Sequence, residues 1–169
     1  GDIDGALAYA RDLLSNDPGN PTLRFLDAGV LIAAGRQQEA AGILQDLLAE
    51  NPENERAWLA LYRVRRSGGD EDAAARVLSD AQAALPDSAN LKWIEASAAE
   101  LRGDIDRAID IYEELYAANS SSVVVANNLA SLISNYREGD ENLERAYEIA
   151  RRLRGTDIPA FQDTYGWIA

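Results

Sequence analysis

The side chains with chemistry to offer in this 169-residue chain are carboxylates, hydroxyls and guanidiniums. Twenty-nine acids stand against sixteen bases, for a formal charge of −13, and there is no His, Cys or Met. All the bases are Arg except Lys92. Without Cys there are no disulfides or thiolate metal sites. Without His there is no Ser-His-Asp triad and no His-ligated zinc. Glycosidase-type acid–base work would need two carboxylates facing each other across a cleft. Glu113 and Glu114 do not meet that need, because neighbouring residues on a helix point in different directions. Asp70-Glu71-Asp72 and Asp104-Ile105-Asp106 hint at calcium ligation but lack the central Gly and terminal bidentate Glu of the ordered loop. These acids read instead as solvated helix faces and helix starts, with Asp2, Asp70 and Asp104 placed to complement a helix dipole. The expectation is a non-catalytic chain with no cofactor and no metal. A charge of −13 repels phosphate backbones and anionic bilayer surfaces, so neither is the expected partner. No apolar run approaches the roughly 20 residues a membrane helix needs.

The elements that position these side chains repeat. Gly1, Gly35, Gly69 and Gly103 are 34 residues apart, and Ala6, Ala40, Ala74 and Ala108 hold the same phase. So do Pro18, Pro52 and Pro86, with Ser120 in the next place, and Gly1-Asp2-Ile3-Asp4 recurs as Gly103-Asp104-Ile105-Asp106. Each period reads as two helices. In residues 21–54, Asn20 caps a first helix that opens on Pro21 and ends at Gly35. A second helix runs from about Gln37 to Glu50, with Ala40, Ile43, Leu44, Leu47 and Leu48 on one face, and Asn51-Pro52 stops it. The alanine column lets the two antiparallel helices approach closely. The first helices are assigned apolar faces Leu23, Leu26, Val30, Ala33 and Leu91, Ile94, Ala98, Leu101 in two periods. In the other two the faces are Trp58, Leu61, Val64 and Val125, Leu129, Leu132, Ile133. This difference suggests alternate first helices rotated about their axes, or simple drift in a tolerant repeat. Near the C-terminus Asn135 to Asp140 reads as a longer turn, and the alanine phase resumes late at Ala146 and Ala150.

This pattern resembles the tetratricopeptide repeat family, whose unit is a 34-residue helix-turn-helix. Trp58 with Leu61 matches the first-helix motif, and Ala40/Leu44, Ala74/Leu78 and Ala108/Tyr112 match the second. Tyr62, Arg65, Asp27 and Glu95 depart from it. The resemblance implies an all-α, right-handed α-solenoid of stacked antiparallel helix pairs, about ten helices in a single array. Its parts are a second helix at 1–20, regular units at 21–54, 55–88 and 89–122, an irregular unit at 123–158 and a further first helix from 159 to 169.

In this family partners usually bind a concave groove lined by first helices, which implies a protein-interaction scaffold taking a peptide or helix. The columns expected there hold Phe25, Leu59, Trp93 and Asn127; Gly29, Arg63, Ser97 and Ser131; and Ile32, Arg66, Glu100 and Ser134. Phe25, Leu59 and Trp93 would form an apolar strip, and Arg56, Arg63 and Arg66 a basic spot, suited to an apolar, partly acidic segment. The alternative places Phe25 and Trp93 in the core and makes the arginines a solvated surface. The Lys/Asn carboxylate clamp of some members is not matched. A structural spacer with no groove ligand is the competing non-catalytic reading. The Asn127-Asn128-Leu129-Ala130 and Asp163-Thr164-Tyr165-Gly166-Trp167 segments resemble terminal repeats of bacterial members that serve envelope or exopolysaccharide assembly, which implies a periplasmic or membrane-tethered parent. Neither end looks like a polar capping repeat. The expectations are that the parent array continues and that the chain is a monomer or a weak end-to-end dimer.

Overall fold

The computed structural model describes residues 2–169, and Gly1, the first of the glycine series, lies outside them. Among the described residues there are ten α-helices: α1 (Ile3–Asn16), α2 (Pro21–Ala33), α3 (Gln37–Glu50), α4 (Glu55–Ser67), α5 (Glu71–Ala84), α6 (Ala89–Arg102), α7 (Ile105–Ala118), α8 (Val123–Tyr136), α9 (Asp140–Ala150) and α10 (Pro159–Ile168). A 3₁₀ turn, Arg151–Leu153, follows α9. None is long and apolar enough to cross a membrane. The fold is all-α, of the helical-repeat type the periodicity predicts. It divides into two compact units, Gly1–Ser88 and Ala89–Ala169. In the first, α1 to α5 each pack on the next; in the second, α6 to α9 do likewise and α10 packs on α8 and α9.

The 34-residue period is written into the turns. After α2, α4 and α6 the chain enters the left-handed region at Gly35, Gly69 and Gly103, with φ of 75°, 76° and 78°. Only glycine takes that conformation without a steric penalty. Each is the C′ residue of a Schellman motif. Arg36, Asp70 and Asp104 donate their amides back to Leu31, Arg65 and Ala99, while the glycines donate to Ile32, Arg66 and Glu100. Asp70 and Asp104 then serve twice, because their carboxylates accept the amides of Ala73 and Arg107 as N-caps of α5 and α7. Asp2 does the same for Gly5 in α1. Asp70 and Asp104, the leading acids of the two segments that hinted at metal ligation, are thus helix caps, and Asp106 is paired with Arg137. At Arg36 the column lacks an acid, and α3 starts with no side-chain cap. The opposite turns repeat as well, with the amides of Asp17, Asn51, Leu85 and Asn119 donating to Leu13, Leu47, Ala81 and Leu115.

The second helices bury the faces the spacing predicts. Ala40, Leu44, Leu47 and Leu48 in α3 are buried and Ile43 is half-buried; Ala74 and Ala108 are buried too, whereas Ala6, in the same phase of α1, is exposed. Two first-helix faces require correction. In α2, Leu26 is 44% exposed and Ala33 lies at the surface, while Ala28 and Leu31 are buried. In α6, Leu101 is 72% exposed, and Ala96 and Ala99 are buried beside Leu91. In α2, α6 and α8 the buried column holds the small residues Ala28, Ala96 and Ala130, whereas in α4 Tyr62 fills the same place. A search for large apolar residues finds the neighbouring stripe instead. The turn near the C-terminus also differs. α8 continues through Tyr136, and three residues, Arg137 to Gly139, reach α9 without a Schellman motif, Arg137 being extended and Gly139 lying at φ 99°.

Candidate functional site

The predicted surface residues fall into two groups, one in each unit. In the first unit, Arg56, Leu59, Arg63 and Arg66 all lie on α4. At 3.6 residues per turn they span about 80° of arc, a single stripe. The three arginines are exposed and Leu59 is half-buried. Among the described residues none of the three arginines makes an ion pair, whereas Arg24, Arg36, Arg107, Arg137 and Arg145 are paired with Glu50, Glu39, Glu95, Asp106 and Glu113. Arg65, on the far side of α4, reaches Gln38 instead. The stripe meets α2 at Phe25, over whose ring the Arg56 guanidinium sits 4.9 Å from the centroid, a cation–π contact. Phe25 is half-buried and packs against the first unit's core on one side. It is therefore both core and surface, and the two sequence readings of it are not exclusive.

Beside Phe25 an open groove of about 720 Å³ runs between α1 and α2. Phe25, Leu26, Gly29, Val30, Ala33 and Arg56 line one side, and Ile3 and Ala6 the other. Three of these, Leu26, Val30 and Ala33, belong to the face expected in the core. Sequence reasoning missed the groove because an exposed apolar stripe and a buried one share the same spacing.

In the second unit Trp93 is half-buried and meets Tyr112 of α7 edge-on, with ring centroids 5.3 Å apart. Tyr112 is fully buried. Its hydroxyl donates to Glu100 Oε1 at 2.7 Å and accepts from Asn128 Nδ2 at 3.0 Å. Burial, reinforced by the Glu100 carboxylate, pushes its pKa up to about 12. Asn127 donates to Asn128 Oδ1, while its own buried Oδ1 has no partner among the described residues. The network was not anticipated, although a signal existed: Tyr112 stands in the column filled by Leu44 and Leu78, and a buried tyrosine needs a hydroxyl partner.

The acids flagged as a possible catalytic pair point to different helices. Glu113 is bonded to Arg145 of α9 and Glu114 to Lys92 of α6. The Lys92 ammonium holds the Glu114 carboxyl below its ordinary range. No two acids of this set converge on a common point.

Antiparallel helix pairs in 34-residue register, with an exposed basic stripe beside an open apolar groove, define a helical-repeat scaffold. Tetratricopeptide repeat profiles match residues 1–55 and 31–97, together more than half of the 169 residues, and the chain belongs to the tetratricopeptide repeat family. Solved structures with the same fold include a tetratricopeptide repeat protein from Parabacteroides merdae, 19% identical over 99% of this chain with a TM-score of 0.65. This chain spans 65% of that protein's length. MamA from Desulfovibrio magneticus is 16% identical over 94% of this chain and 89% of its own, with a TM-score of 0.67. YrrB, described as having an unusual peptide-binding site, is 16% identical over 98% of this chain and 84% of its own, with a TM-score of 0.63. At these identities the likeness concerns the fold. No significant match was found among the curated proteins.

Proposed function

We propose that the chain is a non-catalytic protein-interaction scaffold, and that the α2–α4 face of the first unit takes an acidic, apolar peptide or helix. The observation that carries this reading is the row of three exposed guanidiniums on α4 that make no ion pair among the described residues, in a chain whose other charges are mostly acidic. Arg63 and Arg66, like charges three residues apart on one helix, repel each other mildly, and an acidic segment docked beside them would relieve that repulsion. Phe25 under Arg56 and half-buried Leu59 add the aromatic and aliphatic contact that, together with Arg, carries interface energy. Trp93 and Asn127 lie half-buried in the second unit and are not part of this face. The envelope or exopolysaccharide setting implied by the C-terminal motifs belongs to the same proposal, and a docking scaffold fits it.

The test is fluorescence-anisotropy titration of a labelled amphipathic peptide carrying Asp/Glu on one face and Leu/Phe on the other. Arg63→Glu with Arg66→Glu should weaken binding by at least tenfold, about 1.4 kcal/mol. A basic peptide of the same apolar content should not bind. Equal affinity for wild type and the double variant, with helicity unchanged, would favour the spacer reading and overturn this one.

A further inference from the structure

Resting on the acidic-ligand reading above, we infer that the segment held on α4 is itself a helix, laid along α4 in coiled-coil fashion, with two acids seven residues apart and a large apolar residue between them. α4 packs on α3 and α5 and buries Ala57, Leu61, Tyr62 and Val64. The stripe lies outside that arc. Its residues, Arg56, Leu59, Arg63 and Arg66, fall at intervals of three, four and three. That alternation is the a/d seam of a coiled coil, the surface along which a second helix packs.

Such a seam receives each incoming side chain in a hole made by four residues of the facing helix. Arg56, Leu59, Ala60 and Arg63 make one here. Leu59 and Ala60 are half-buried and form an apolar floor, while exposed Arg56 and Arg63 put positive charge at its two ends. The Phe25 ring holds Arg56 in place, 4.9 Å from its guanidinium. A leucine or phenylalanine fits the floor, and carboxylates fit the ends. Spacing then decides between a helix and an extended chain. Arg56 and Arg63 are two turns apart, about 10.5 Å along the axis and about 20° round it. A ligand helix repeats its own inner face over the same seven residues, so one acid meets each arginine with the apolar residue between. Side chains on one face of an extended segment recur every roughly 6.7 Å. An acid of such a segment that meets one arginine leaves the next acid short of, or past, the other.

The test uses a labelled peptide of about 20 residues, with Glu-x-x-Leu-x-x-x-Glu on its inner face and Ala, Gln and Lys outside. Anisotropy reads affinity, and circular dichroism reads helicity on mixing. Wild type should bind the peptide, and the helicity of the mixture should exceed that of its parts. A peptide of the same composition with one Glu moved two residues, off the inner face, should bind at least tenfold more weakly. So should one with proline at the centre of the outer face, which breaks the helix and keeps every charge. Arg63 is exposed, and Arg63→Glu should lose the first peptide without losing its own helicity. Exchanging one of the two peptide acids for Lys, and only that one, should restore binding to the variant. Wild type binding the shifted or proline peptide as tightly as the first, with binding still lost in Arg63→Glu, would overturn the helix and leave an acidic ligand standing. Rescue by either exchange alike would do the same. A wild type that binds no acidic peptide would overturn both.

Discussion

Replacing Tyr112 by Phe isolates one buried hydrogen-bond network from the packing around it. The ring keeps its edge-on contact with Trp93, so no cavity opens. What is lost is the donor to Glu100 and the acceptor for Asn128. A hydrogen bond to a charged group contributes about 1.5–3 kcal/mol, and the partner left behind bears a desolvation cost. Glu100 is only half-buried, and water can take over part of the bond. The expected loss is therefore about 2 kcal/mol, near the lower part of that range. For a chain of this length it should lower Tm by roughly 4–8 °C. The pH dependence gives the stronger check. Tyr112 keeps its proton up to about pH 12 in the folded state, against 10.0 for an ordinary tyrosine. Its contribution is complete below pH 10. It falls as pH rises from 10 to 12, because over that range the folded state holds a proton the unfolded state has released. By pH 11 the gap between wild type and Tyr112→Phe should have narrowed by about 1 kcal/mol. Denaturant melts at pH 8 and pH 11 measure it. Equal stability at pH 8, or a gap that does not change with pH, would refute the assignment of Tyr112 as a buried, doubly bonded hydroxyl.

Other expectations follow from the turns and the core. Gly69→Val forces a β-branched side chain into φ 76° and should cost at least about 1–3 kcal/mol. Gly42→Ala, in the middle of α3 with open space around the added methyl, should instead stabilise by roughly 0.5–1 kcal/mol. Asp104→Ala removes the N-cap of α7 and should cost about 1 kcal/mol, more than Arg36→Ala, whose side chain caps nothing. Leu47→Ala should cost about 2–5 kcal/mol and Ala108→Leu about 1–3 kcal/mol, both read from urea melts.

The helices were legible because their punctuation recurs in fixed phase. Asn20 and Pro21 open α2 and Gly35 closes it, and the bounds of α3 came within the reach of the spacing argument. The second-helix core was legible because Leu44 and Leu47 are large and regularly placed. First-helix faces were less so, since Ala28 and Ala96 do the packing while the larger Leu26 and Leu101 sit outside. Apolar period alone does not say which of two adjacent stripes meets a partner. The α4 stripe was readable from Arg56, Arg63 and Arg66, but its lack of ion pairs was not, because Arg24 and Arg107 look the same in sequence and are paired. The Tyr112 network depends on contacts among α6, α7 and α8 that no single helix pattern encodes.

The central claim is that the first unit's α2–α4 face recognises acidic, apolar segments. The most direct measurement is selection from a random-sequence peptide display library on the immobilised chain, run in parallel on an Arg56→Glu, Arg63→Glu, Arg66→Glu variant. The account predicts that wild type enriches peptides combining Asp or Glu with Leu, Ile or Phe, and that the variant loses them. Enrichment of basic peptides, or the same peptides recovered on both proteins, would contradict it.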